Sequence, residues 1–437
     1  MWPVPQCVKP GLLDPPKAGG VRCPPGSDGN MQAYRITRVL MLWGGALPAI
    51  GLSACREPAP GEWHETAAYR WRELPVPPGS RAGFTQLPGP TTGIRFSNTI
   101  SDDLARQNRH LVQGSGVALG DADGDGLVDV YLARIEGPNA LYRNLGGWRF
   151  EDVAAERGVA APDRFSTGAV FADVNGDAHL DLLVTALGGP NALFVNDGTG
   201  RFTESRYETE AGRGSTTMTL ADVDGDGDLD LYIANYKLVT ALDLFTPQER
   251  AFDQVIERVG NGYRVAARFK DHYRVEVRPE LGVVVRIQRA DPDWLYLNDG
   301  RGRFQRVPRT EGRFLMEDGA ILSEEPERFG LVARFADLDG DGDPDLYVCN
   351  DFEDPDELWI NDGEGRFRAA PATALRTSSN SSMAVDFSDI DRDRDLDFLV
   401  VDMLSRDPVR RKTQTPTHTP LPKLIGQIHD RPQLQRN

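Results

Sequence analysis

Apolar residues recur along the chain in short β-like runs, each bounded by a Gly- or Asp-rich turn, and five of these runs superimpose. They are LGDADGDGLVDVYLAR from Leu119, FADVNGDAHLDLLVTA from Phe171, LADVDGDGDLDLYIAN from Leu220, FADLDGDGDPDLYVCN from Phe335 and FSDIDRDRDLDFLVVD from Phe387. A second element, NALYRNLGGWRF in the first repeat and DELWINDGEGRF in the fourth, follows each of the first four. Every repeat reads as four short strands; in the first these are Gly116–Leu119, Val128–Ala133, Ala140–Arg143 and Phe150–Val153. The Asp-rich loop joins strands one and two, and a turn containing Asn-Asp-Gly joins strands three and four. Helical 3.6-residue periodicity is absent, so a helical solenoid is excluded. Four strands per period of about 50 residues predict an all-β fold, a β-propeller of four-stranded blades.

The first loop Asp falls at 121, 173, 222, 337 and 389. From it to the Leu of the second element is 20, 20 and 21 residues in repeats one, two and four, but 73 in the third. About 52 residues are therefore inserted after Tyr236, giving one blade an excursion over 236–290 rather than losing a blade. Within it, TPQERAFDQVIERV predicts a short helix and YRVEVRPELGVVVRIQ alternating strands. The last repeat stops before its second element, and Phe84–Asn98 is a candidate closing strand. The expectation is an open, truncated array of about four and a half blades.

Ahead of the repeats the pattern is different. Residues 1–30 are rich in Pro and Gly and read as an upstream extension or a misassigned start. From Met31, Arg35 and Arg38 precede an apolar run from Val39 to Ile50, closed by Leu52-Ser53-Ala54-Cys55, the layout of a cleavable signal peptide. The run is too short for a stable membrane span. Its last four residues resemble a bacterial lipobox, which makes Cys55 the expected lipidation site and 56–90 a Pro-rich tether. Cleavage there leaves only Cys55 and Cys349, so no intrachain disulfide is expected if Cys55 is lipidated, and Cys349 reads as a buried apolar residue.

The net charge of −17 argues against nucleic acid as a partner. The acidic residues concentrate in the five loops, at relative positions 1, 3, 5 and 9, where carboxylates repel unless a cation lies among them. A hard divalent ion takes six to eight oxygens, and a tight loop supplies them by turning alternate side chains inward, with a backbone carbonyl from position 7 and Gly at position 6 for the turn. Three loops meet every requirement: Asp121, Asp123, Asp125 and Asp129; Asp222, Asp224, Asp226 and Asp230; Asp337, Asp339, Asp341 and Asp345. The second offers Asp173, Asn175, Asp177 and Asp181 but has Ala178 at position 6. The fifth offers Asp389, Asp391, Asp393 and Asp397 with Arg392 and Arg394 in place of both glycines. An EF-hand needs helical flanks and Glu at position 12, where this chain has Leu132, Ile233 and Val348. Up to five Ca²⁺ ions are expected, magnesium being disfavoured by its reluctance to enter all-protein cages.

These loops, with GSGVALGDADGDGLVDVYL, the NxLYxNDGxGRF elements and SSMAVDFSDIDRDRDLDFLVVDMLSRD, resemble FG-GAP/VCBS repeats of integrin α-subunit propellers. They are more similar still to bacterial proteins of the UnbV type, related to cartilage acidic protein. The resemblance spans roughly residues 91–437. It implies seven blades in the related folds, structural Ca²⁺ at the named aspartates, and a propeller serving adhesion or ligand binding.

No GxSxG, HExxH, CxxC or P-loop occurs. Carboxylates that recur in every repeat read as ligands, whereas a glycosidase pair is unique. The expectation is a non-catalytic binding or adhesion module for an extracellular or periplasmic protein or polysaccharide, in the bacterial envelope or secreted, touching the membrane only through a lipid anchor. The alternative is an extracytoplasmic hydrolase or lyase acting on glycans, with catalysis on the face that bears the insertion.

Overall fold

A computed structural model describes residues 64–65, 70–71 and 84–403, with short breaks at 206–211, 280–281, 352–353, 372, 376–377 and 380, and then 407 and 409. The segment expected to be a signal peptide, 31–55, and the expected lipidation site Cys55 lie outside the described residues. The chain divides into two compact units, 1–84 and 85–437. In the first, β1 (His64–Glu65) pairs antiparallel with β2 (Arg70–Trp71).

The second unit is nearly all β. Its first blade contains β3 (Val117–Gly120), β4 (Asp129–Leu132), β5 (Ala140–Asn144) and β6 (Phe150–Asp152), hydrogen-bonded in that order. The second contains β7 (Ser166–Ala172), β8 (Asp181–Ala186), β9 (Ala192–Asn196) and β10 (Phe202–Ser205). In the third, β11 (Ser215–Ala221) and β12 (Asp230–Asn235) are separated along the chain from the outer pair by two hairpins. These are β13 (Ile256–Val259) with β14 (Gly262–Val265), and β15 (Tyr273–Arg278) with β16 (Val283–Gln288). The chain then returns as β17 (Trp294–Leu297) and β18 (Gln305–Val307) to complete the sheet β11-β12-β17-β18. The fourth blade adds a short outer strand, β19 (Phe314–Leu315), to β20 (Gly330–Ala336), β21 (Asp345–Asn350), β22 (Glu357–Asn361) and β23 (Phe367–Ala369). β19 runs parallel to β23. β24 (Ser382–Ser388) and β25 (Asp397–Asp402) pair as the described part of the fifth.

The helix expected over TPQERAFDQVIERV shrinks to Phe252–Val255. Ile256–Val259 instead pairs with Gly262–Val265 across a glycine-bearing turn, because β-branched residues favour a strand once a tight hairpin is available. Phe84–Asn98 forms no strand; its one regular element is the helical turn Gly89–Thr92, and the prolines on both sides of Gly89 remove ladder donors.

The core lies between consecutive blades. Tyr131, Leu141, Leu182, Val184 and Phe194 pack between the first and second, and Leu183, Leu193, Leu231, Ile233 and Trp294 between the second and third. Tyr232, Leu295, Phe314, Leu346 and Trp359 pack between the third and fourth. The second strands β8, β12 and β21 are thus covered on both faces and buried throughout. Near-continuous apolar runs such as DLLVTA are what such a position requires. Cys349 is one of these residues, wholly buried as a thiol. The first strands of successive blades lie side by side. A Cβ on Gly116 would stand 2.8 Å from the Cα of Gly168, so this close approach requires glycine there.

Candidate metal centre

Each Asp loop is a tight turn whose shape is set by its own carboxylates. The position 1 Asp accepts backbone N–H groups from inside the loop: Asp121 from Asp125 (3.1 Å) and Gly126 (2.8 Å), Asp222 from Gly225 (2.8 Å) and Gly227 (3.0 Å), Asp337 from Gly340 (2.8 Å) and Gly342 (3.2 Å). Asp173 and Asp389 do the same, accepting from Ala178 (2.8 Å) and Arg394 (3.2 Å). The position 5 Asp accepts the N–H two residues on, as in Asp125 from Leu127 (2.9 Å), Asp177 from His179 (2.9 Å), Asp226 from Asp228, Asp341 from Asp343 and Asp393 from Asp395 (each 3.0 Å).

The position 9 Asp opens the second strand and staples the loop to the outer hairpin. Asp230 accepts from Val223 N (3.0 Å) with one oxygen and from Asn298 N (2.9 Å) with the other. Asp129 bridges Ala122 and Asn144, Asp181 bridges Val174 and Asn196, and Asp345 bridges Leu338 and Asn361 in the same way. Burial pushes Asp181, Asp230 and Asp345 up to about 6 against these two backbone donors, which favour the charged form.

Positions 1, 3 and 9 converge. Asp121, Asp123 and Asp129 each offer an oxygen within 4.8 Å of the others, as do Asp222, Asp224 and Asp230; Asp337, Asp339 and Asp345; and Asp389, Asp391 and Asp397. The position 5 carboxylates Asp125, Asp226, Asp341 and Asp393 stand outside these groups. Loop two forms the same turn, with Asn175 at position 3, and its Asp173, Asp177 and Asp181 make no such group among the described residues. In loops one, three and five an oxygen is buried with no hydrogen-bond donor: Oδ1 of Asp123, of Asp224 and of Asp389. Burial, then repulsion from Asp226, raises the pKa of Asp224. Orphaned carboxylate oxygens converging on saturated ones are a donor set that fits a hard divalent cation and is costly without one. In loop one an arginine pairs with the cluster: Arg143 Nε lies 2.5 Å from Asp123, and its Nη2 lies 3.2 Å from Asp125; in loop three the charge of Arg313 acts on Asp224.

The sequence places Asn-Asp-Gly as a unit in the turn between strands three and four, where a tight hairpin needs positive φ. The positive φ belongs instead to Gly198 (82°) and Gly200 (75°), and Asn196 is the last residue of β9. Its side-chain amide crosses to the preceding blade and donates to Ala122 O (2.8 Å) inside loop one. Asn298 reaches Val174 O of loop two (2.8 Å), and Asn361 reaches Val223 O of loop three (2.9 Å). The end of each outer hairpin strand therefore grips the Asp loop of the blade before it. The constant interval from loop to Asn was the available signal.

A second missed feature lies between blades three and four. Arg309, 1% exposed, pairs with Glu357 (3.3 Å) and lies over the rings of Phe314 and Trp359. Nearby, Asp293 accepts from Asn235 N (2.7 Å) and the Tyr232 hydroxyl (3.0 Å), and burial pushes it up to about 7 although Arg309 opposes the shift.

A family described as FG-GAP-like repeat matches residues 121–184, 173–233 and 337–400. Over 82 residues, 19% of the chain, the sequence is 33% identical to cartilage acidic protein 1 of Mus musculus, and over 86 residues, 20% of the chain, 33% identical to the Homo sapiens protein. The match spans 13% of the length of each of these relatives. Among solved structures, an Agrocybe aegerita lectin recognising non-reducing terminal N-acetylglucosamine is 19% identical at a TM-score of 0.24, over 57% of this chain and 63% of that one. The V. cholerae biofilm matrix protein Bap1 is 16% identical at a TM-score of 0.26, over 62% and 44%. With loops, sheets and matched segments in register, this chain is an all-β protein of the propeller type, carries FG-GAP-like repeats in three places, and shares partial homology with cartilage acidic protein 1.

Proposed function

We propose that the protein is an exported, calcium-loaded β-propeller that binds a protein or polysaccharide without catalysing a reaction. The observation that carries this reading is the orphaned carboxylate oxygen repeated at equivalent loops, since a cation supplies the missing charge and contacts in each. When bound, Ca²⁺ would neutralise the aspartates at positions 1, 3 and 9 and so rigidify the scaffold. The ligand surface is a cavity of 2010 Å³ lined by the first strands of the blades, including Val117 and Met218, and by Arg250, Phe252 and Arg286 of the insertion. Its one carboxylate among the described lining residues, Asp351, accepts the Tyr236 hydroxyl (2.8 Å), whereas glycosidic cleavage uses two carboxyls. His110, also lining it, is lowered to about 4 by burial and stays neutral at physiological pH. Export as a lipoprotein through Cys55 completes the reading; no helix among the described residues is long and apolar enough to cross a membrane.

The test is thermal unfolding of the mature domain in EGTA and in millimolar Ca²⁺. Several occupied sites should raise the midpoint by roughly 10 °C or more, and ligand capture should vanish with the metal. Identical melting curves and no metal in the purified protein would sink the proposal. Turnover of a glycan, lost on substituting Arg286 and retained on substituting loop aspartates, would establish the hydrolase or lyase reading instead.

A further inference from the structure

At the two roots of the insertion lies a second cavity, of 390 Å³, separate from the Asp loops and lined largely by charged side chains. Lys237 enters it directly after β12, and Arg289 and Asp291 where the chain leaves β16. Lys270 and the exposed Asp271 come from within the insertion, Arg213 from the connection ahead of β11, and Glu327 from the segment before β20. A volume of this size is at the small end of ligand pockets.

The pairing among these groups is uneven. Both oxygens of Glu327 are taken by Arg289 Nη1 (2.6 Å each). Asp291 accepts from Gly214 N (2.9 Å) and Leu238 N (3.0 Å) with one oxygen, and its other oxygen faces Arg213 at 3.8 Å. Lys237 is left without a carboxylate of its own. The residue as a whole is 7% exposed, and its ammonium makes no hydrogen bond or ion pair among the described residues. Lys237 lines this cavity together with Asp291, Glu327, Arg289 and Arg213, and burial lowers its pKa. The Nε–H of Arg289 is likewise buried without an acceptor. A buried cation beside an orphaned guanidinium donor calls for an acceptor that carries negative charge.

We propose that this cavity is an oxyanion site, in which Lys237 and the Arg289 Nε–H hold one sulfate- or carboxylate-sized group, with Lys270 at its rim. The shared chemistry is a compact anion with several acceptor oxygens, free or carried on a larger molecule. It is independent of the large cavity and of whether the loops take calcium.

The experiment is calorimetric titration of the mature domain, kept in 1 mM Ca²⁺, with sulfate and separately with glucuronate, against chloride at matched ionic strength. Saturable one-site binding of either anion is expected, weakened at least tenfold in Lys237→Met, which keeps the buried stem and removes the charge. Response to sulfate alone would identify a tetrahedral sulfate-type group, and response to glucuronate alone a carboxylate. Lys270→Gln, at an exposed position, should weaken binding less while folding normally, and so guards against a folding defect in the first variant. Absence of binding to both anions, or undiminished affinity in a folded Lys237→Met, would overturn the proposal.

Discussion

Ala178, Arg392 and Arg394 hold left-handed backbone at φ of 67°, 66° and 81°, where the better-formed loops place glycine, as at Gly124 (73°) and Gly126 (85°). The Cβ penalty in that region is about 1 kcal/mol or more. Ala178→Gly and Arg394→Gly should therefore each raise stability by roughly 1 kcal/mol, less the extra entropy of the unfolded glycine. Chemical denaturation checks it, and unchanged or lower stability in both would contradict the strain argument. Asp293 gives a pH-dependent counterpart. Its carboxyl keeps its proton to about pH 7 when folded and loses it near 4 when unfolded. Between those values the folded state binds the extra proton, so its contribution favours folding at low pH and is lost as pH rises through 7. Asn139 and Asn191 fill the equivalent position in the first two blades, each accepting a backbone N–H (2.7 and 2.8 Å). In Asp293→Asn the slope of melting temperature between pH 5 and 7.5 should flatten relative to the parent. An unchanged slope would remove Asp293 as its source.

Along the elements, the strands were legible because their signals are local. Alternation, a fixed loop-to-strand interval and Gly-bearing turns place β3–β6 within a residue of expectation, as with Ala140–Asn144 against Ala140–Arg143. The helix of the insertion failed because its apolar spacing also suits a hairpin, and Phe269, Tyr273 and Val255 decide the matter by packing together at long range. Contacts between blades were not legible at all. Asn298 lies 124 residues from Val174, and no periodicity announces that its amide joins Val174 O to Leu229 O. Because both carbonyls lose their donor together, Asn298→Ala should cost about 1–3 kcal/mol in denaturant unfolding. A loss below a few tenths would mean that the inter-blade grip is incidental.

For the whole molecule, the Asp loops and the blade interfaces form one system. β22 ends at Asn361, whose amide holds loop three, and the turn after it carries Gly365, where a Cβ would stand 3.1 Å from the Cβ of Asp224. Whatever fixes Asp224 therefore fixes the seam between the third and fourth blades. Asp224 itself is disfavoured without a cation, since one oxygen is buried with no donor and burial and Asp226 raise its pKa, with Arg313 partly offsetting them and Asp222 adding to them. The same side chain should thus change sign with conditions. In millimolar Ca²⁺, Asp224→Ala removes a ligand and should lower the melting temperature; in EGTA it removes an unpaired buried charge and should leave it equal or higher. Parallel melting curves of parent and variant in the two buffers test this directly. A loss of equal size in both would show that Asp224 acts through packing alone, and the cation would have no part in joining the blades.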